Sequence, residues 1–157
     1  MSRFAENTTV PADKSRAEIE RTLQRYGADQ FAYGWETNRA MIQFRVDDRL
    51  VRFVLPLPDR ADPLFTRTPT KGDVRSPEAA ERAWEQATRQ KWRALLLMVK
   101  AMLEAVESGI VAFEDVFLAQ TVLPDNSTVA DFMHPQIEVA ARTGQMPHAM
   151  PALEAGS

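Results

Sequence analysis

Apolar residues recur along the chain with two periods, near four in some stretches and two in others, and each change of period marks a new element. Ile19, Leu23 and Tyr26 fall at helical spacing behind Ser15-Arg16-Ala17-Glu18, which fits a capping box. Gly27 follows as a residue able to take the left-handed C-terminal conformation. A first helix is expected at about 13–26, with Pro11 or Asp13 as earlier starts. The period then drops to two. Phe31, Tyr33 and Trp35 alternate with Ala32 and Gly34. Ala40, Ile42, Phe44 and Val46 alternate with Met41, Gln43 and Arg45, and Val51, Phe53 and Leu55 alternate with Arg52 and Val54. Even-length connections at 36–39 and 47–50 keep the first-named residue of each pair on one face of a three-stranded antiparallel meander. Pro56 and Pro58 end the third strand, because proline has no donor for a ladder.

Residues 58–76 hold three prolines and no apolar period, which predicts a long mobile loop. Its basic members are Arg60, Arg67, Lys71 and Arg75. Ser76-Pro77-Glu78 then supplies a capping serine, a proline at the first helical position and an acid at the positive end of the dipole. Nothing breaks the pattern before Gly109, so a helix of about 32 residues, near 48 Å long, is expected. Its first half is amphipathic and charged. Its second half, Ala94 to Val99, is apolar all round and requires cover on every side, of which the meander supplies one. Phe113, Val116 and Phe117 suggest a short helix, Leu123 to Ser127 a turn, and Thr128 with Asp131 a second capping box. Pro135 to Arg142 reads as a final helix stopped by Gly144.

The order of elements predicts an α+β domain: an N-terminal helix, a three-stranded antiparallel meander, one long helix packed on the sheet, and short C-terminal helices. The expected organisation is a flexible N-terminus over 1–12, a single domain over 13–144, and a Pro- and Met-containing tail over 145–157 that forms a surface strap or a free end.

Composition narrows the class of protein. With 157 residues, 45% of them hydrophobic and 26% charged, the chain has ordinary globular usage and wholesale disorder is excluded. The absence of cysteine removes disulfides, thiol nucleophiles and thiolate metal sites. The opening Met1-Ser-Arg-Phe-Ala-Glu has no apolar run of the signal-peptide kind, so a cytoplasmic location is expected. Net charge is −3, but it is unevenly spread. Residues 1–59 carry 9 basic and 9 acidic side chains, residues 60–100 carry 9 and 5, and residues 101–157 carry 1 and 8. The basic middle is the footprint a nucleic acid would need.

Candidate chemistry is sparse. The two histidines, His134 and His148, stand fourteen apart without metal-ligand spacing. The order helix, three strands, helix is shared with PD-(D/E)xK nucleases, for which Pro58-Asp59 and Asp73-Val74-Arg75 are the nearest candidates. The second offers arginine for lysine and lies in the loop, not on a strand. The same order occurs in double-stranded RNA-binding domains, but the long helix here opens on Glu78 and Glu81 where those domains are basic. No cofactor and no catalytic constellation is expected.

The arginines of the meander stand out. With Asp48-Arg49 as a two-residue turn, Arg45 lies directly opposite Arg52 on the outer face, a repulsive pair unless an anion sits between them. Gln43 and Met41 share that face, and Arg39 lies near its edge. Together with Arg67, Lys71 and Arg75 of the loop and Arg82 and Arg89 of the long helix, they form a candidate nucleic-acid-binding set. The alternatives are that Glu36 or a helix carboxylate neutralises the pair, or that the register differs. Phe31, Tyr33 and Trp35 point away from that face, so it lacks stacking aromatics. Trp84 and Trp92, eight apart, share one side of the long helix and suit core packing or a helix–helix seam between copies; Met98 and Met102 suit core filling.

Several short runs resemble small uncharacterised proteins encoded in bacterial and prophage genomes. They are Arg16-Ala17-Glu18-Ile19 through Leu23, Tyr26-Gly27, Leu55-Pro56-Leu57-Pro58, Trp92-Arg93-Ala94-Leu95, Leu123-Pro124-Asp125 with Thr128-Val129, and Thr143-Gly144-Gln145-Met146-Pro147. The resemblance implies a provenance and carries no activity with it. The function expected on these grounds is that of a phage-type, non-catalytic nucleic-acid-binding accessory protein in recombination or replication, forming homo-oligomers and binding single- or double-stranded nucleic acid. The alternative is a protein–protein interaction module or inhibitor that docks on a host or phage protein through the acidic C-terminal half.

Overall fold

Each period produces the element it calls for. The computed structural model describes residues 5–147. It contains α1 (Ala12–Arg25), β1 (Ala28–Glu36), β2 (Arg39–Val46), β3 (Arg49–Pro56), α2 (Pro63–Thr66), α3 (Pro77–Glu107), α4 (Phe113–Val116), a 3-10 turn (Leu118–Gln120) and α5 (Val129–Thr143). This is an α+β arrangement in which α1 and α3 pack together over one face of a sheet ordered β1-β2-β3. No helix among the described residues is long and apolar enough to cross a membrane.

α1 begins at the earlier of the two possible starts. Pro11 is its N-cap, so Ser15 lies a turn inside and is buried, and the Ser15–Glu18 capping box does not form. Gly27, at φ 95°, follows the helix as its left-handed residue. The residues before it are not a loose end throughout: Ala5 is buried, and Gln86 Nε2 of α3 donates to the carbonyls of Glu6 and Thr8 at 3.2 and 2.9 Å. Residues 1–4 of the expected flexible segment lie outside the described residues.

The meander presents the expected face to the helices. Phe31 pairs with Phe44 and Tyr33 with Ile42; beyond them Phe44 pairs with Val51 and Ile42 with Phe53. The second turn, however, is Asp47-Asp48 and not Asp48-Arg49. Asp47 takes φ 54°, a conformation that short polar residues tolerate, and Val46 pairs with Arg49. The register is therefore shifted by two from that expected. A shift of two leaves every side chain on its face and changes only its neighbours.

Ile42, Phe44, Val51 and Phe53 close against Ile19 and Leu23 of α1, Trp92, Leu96, Val99 and Leu103 of α3, and Phe117. Phe117 stands edge-on to both Phe44 and Phe53, with ring centroids 5.8 and 6.1 Å away. α3 runs 31 residues from a Ser76 cap whose Oγ accepts from Ala79 N at 3.2 Å. Its apolar half is not covered on every side. Leu97 and Met98 remain exposed among the described residues, so Met98 is surface and not core, whereas Met102 packs partly against the core. The two tryptophans divide: Trp92 is buried in the core, and Trp84 holds the following-strand loop, its Nε1 donating to Pro58 O at 2.7 Å beneath the Arg60 guanidinium.

Residues 58–76 are more ordered in their geometry than an aperiodic sequence suggests. They contain α2, the buried Phe65 and a bridge between Arg67 and Val74. One buried aromatic anchors a segment without needing any period. At the C-terminal end, the Thr128–Asp131 capping box forms as expected, and it starts α5 at Val129, six residues before Pro135. Pro135 therefore lies inside the helix. Gly144, at φ 67°, ends it. Of the expected tail, residues 148–157, including His148, lie outside the described residues.

Candidate docking groove and basic face

The outer face of the sheet places each sequence-picked arginine against a partner. Arg45 pairs with Leu50 across the strands, and its guanidinium grips Asp29 through bonds of 2.9 and 2.6 Å. Arg52 pairs with Gln43, whose Oε1 it meets at 3.0 Å. Its other nitrogens donate to Asn126 O at 2.9 Å and Asn126 Oδ1 at 2.5 Å. Arg39 chelates Glu36 at 2.8 and 3.1 Å. The opposed-arginine pair does not exist in this register. The bonded guanidiniums hold the Asp29 and Glu36 carboxyls below their ordinary values, first through the hydrogen bond itself.

The rest of the basic set divides in two. Arg67 Nη1 donates to Gly72 O at 3.0 Å and closes the bridge in the 58–76 segment, while Arg89 bonds Gln86 Oε1 at 2.7 Å one turn back along α3. Lys71, Arg75 and Arg82 make no side-chain ion pair among the described residues. Asp59 and Asp73, the carboxylates nearest to a nuclease pattern, stay in the loop segment, where Asp59 Oδ1 accepts from Ala61 N. Among the described residues no three His, Asp or Glu side chains gather as a metal site.

An apolar groove of about 540 Å³ lies between the end of α3, the α4–turn segment and α5. Met102, Val116 and Leu118 form one wall; Val129, Met133 and Ile137, four apart along α5, form the other. Asp115 and His134 stand in the lining. α5 is carried on a hairpin pinned to the β3 edge. Val122 N donates to Leu50 O at 2.8 Å, Leu123 N to Ser127 O at 2.8 Å, and Val129 N to Thr121 O at 2.9 Å. Asn126 turns that hairpin at φ 69°, where Arg52 clamps it. The arginine read as a phosphate ligand thus brackets the support of the groove.

α5 itself has no buried side chain, although most of its circumference is apolar. Phe132 and Val139, two turns apart on the flank beyond the groove, are each 47% exposed, and Ile137 is 53% exposed. The segment that builds the groove, residues 101–147, contains seven acidic side chains and one basic, Arg142; of the acids Asp115 is in the lining and Glu114 faces Arg49. Sequence reasoning missed this surface because it began the helix at Pro135, which removed Val129, Phe132 and Met133 from the pattern. The capping box at Thr128 was the signal that restores them.

Comparison with protein families, characterised proteins and solved structures finds no match to this chain.

Proposed function

We propose that the protein is a non-catalytic docking module whose α5 groove takes a basic amphipathic segment of a partner protein. The observation that carries this reading is α5: a capped helix whose apolar side chains Phe132, Ile137 and Val139 face solvent and whose side chains are nowhere buried. An amphipathic helix is normally held by its apolar face, so an uncovered one invites an apolar partner. The charge of the region selects the partner's sign. Asp115 stands in the lining, and the segment 101–147 that builds the groove carries seven acids and one base, a balance that disfavours a second acidic surface and favours Lys and Arg.

A synthetic amphipathic helical peptide of leucine and lysine, compared by calorimetry with one of leucine and glutamate, tests this. The lysine peptide is expected to bind and the glutamate peptide not. Ile137→Asp, at a half-exposed position that the core does not use, weakens binding by at least about tenfold, or about 1.4 kcal/mol. Equal binding of the two peptides, or an Ile137→Asp protein that binds unchanged, overturns the reading.

A second reading is nucleic-acid binding. It rests on Lys71, Arg75 and Arg82, whose charges are not spent on internal partners among the described residues, and which fall on adjoining segments at the start of α3.

A further inference from the structure

The β3 edge of the sheet is covered, since Thr121 bridges to Val51 and Val122 N bonds Leu50 O. The β1 edge is not. The pairing Glu36↔Arg39 closes a two-residue turn, which makes it a hydrogen-bonded pair, and the alternation along an antiparallel ladder then assigns the rest. Gln30, Ala32, Gly34 and Glu36 bond to β2, while Phe31, Tyr33 and Trp35 turn their N–H and C=O groups outward. None of these outward groups has a backbone or side-chain hydrogen-bond partner among the described residues.

Sheet edges of this kind are ordinarily blunted by proline, lysine or a central bulge. β1 has no proline and no lysine, and its irregularity lies at the Ala28–Gln30 end. Its two charges, Asp29 and Glu36, are already neutralised by Arg45 and Arg39 on β2. Trp35 is 70% exposed even though it pairs with buried Ala40 and so belongs to the face that carries the core.

We propose that β1 pairs antiparallel with β1 of a second copy of this chain, joining two three-stranded sheets across a two-fold axis. The strand is its own complement. In the register that places Tyr33 opposite Tyr33 of the second copy, Phe31 meets Trp35, and each of the three outward residues both donates and accepts. In that register Asp29 lies opposite Thr37 and Glu36 opposite Gln30, so no like charges oppose each other. Ala32 and Gly34 meet on the outer face, where small side chains leave the seam flat. On the inner face Phe31 and Trp35 stack across the seam, which covers the exposed indole.

Sedimentation velocity over a wide range of protein concentration tests the association, and hydrogen exchange locates it. The expected result is a species of twice 17.7 kDa, with the amides of Phe31, Tyr33 and Trp35 becoming protected as it forms. Trp35→Pro removes an outward donor and no β1–β2 bond, and it returns the protein to a monomer while circular dichroism stays that of the folded chain. Trp35→Lys does the same by adding a charge at the seam and serves if the proline variant misfolds. A monomer at every concentration overturns the proposal. So does a dimer in which those three amides still exchange freely, since it would use another surface.

Discussion

Glu18 shows how single residues tie the helical layer together. It lies on α1 with its side chain 32% exposed, accepts from Lys100 Nζ and has Arg93 Nη1 at 3.5 Å, both on α3. The Lys100 hydrogen bond, helped by the charges of Lys100 and Arg93, holds the Glu18 carboxyl below its ordinary value of 4.5. A carboxyl with a depressed folded-state pKa contributes stability that is complete above 4.5 and lost as the pH falls through the lowered value. Glu18→Gln is therefore expected to cost up to about 1 kcal/mol at neutral pH, the scale of a partly solvated ion pair. That deficit should vanish in acid, where the native carboxyl is itself neutral. Thermal unfolding of both proteins across that range checks it, and a deficit that persists in acid would mean that packing, not charge, is lost. Arg16 makes a comparable link without an acid, its guanidinium lying 4.1 Å from the Tyr33 ring centre and 5.8 Å from that of Trp92.

Among the elements, α3 and α5 are opposites. α3 is fixed by Trp92, Leu95, Leu96, Val99 and Leu103, all buried, so Leu96→Ala is expected to lower global stability by about 2–5 kcal/mol. α5 has no fully buried residue and leans on its ends: the Thr128–Asp131 box, in which Asp131 N donates to Thr128 Oγ1 at 3.2 Å and Thr128 N to Asp131 Oδ2 at 2.9 Å, and Gly144. Thr128→Ala should cost the helix about 1 kcal/mol and raise amide exchange along α5 several-fold, with the unfolding midpoint of the whole protein nearly unmoved. Hydrogen exchange set beside thermal unfolding of the two variants decides this. A Thr128→Ala midpoint as low as that of Leu96→Ala would show that α5 opens only with the core. The looseness suits a docking helix, because a partner then supplies the buried face that the fold withholds.

At the scale of the molecule, the chain divides into a basic segment over 60–100 and an acidic one over 101–147. Nucleic-acid binding, if it resides in the basic one, must fall steeply with salt and disappear in a Lys71→Glu, Arg75→Glu, Arg82→Glu variant. Fluorescence anisotropy with labelled DNA and RNA measures this, and no binding at low salt removes the reading. What the sequence alone determined was local. Alternation at period two set the faces of the strands, and the Ser76 and Thr128 caps set the starts of α3 and α5, because those signals act within a few residues of chain. Tertiary structure decided the rest. The turn at Asp47-Asp48 reset the register, Arg52 found Asn126 seventy-four residues away, and Glu18 found Lys100 at a separation of eighty-two. Which arginines are neutralised, which apolar faces stay uncovered and which sheet edge is left open depend on such distant contacts. No local pattern records them, because each is settled by where the chain returns in space.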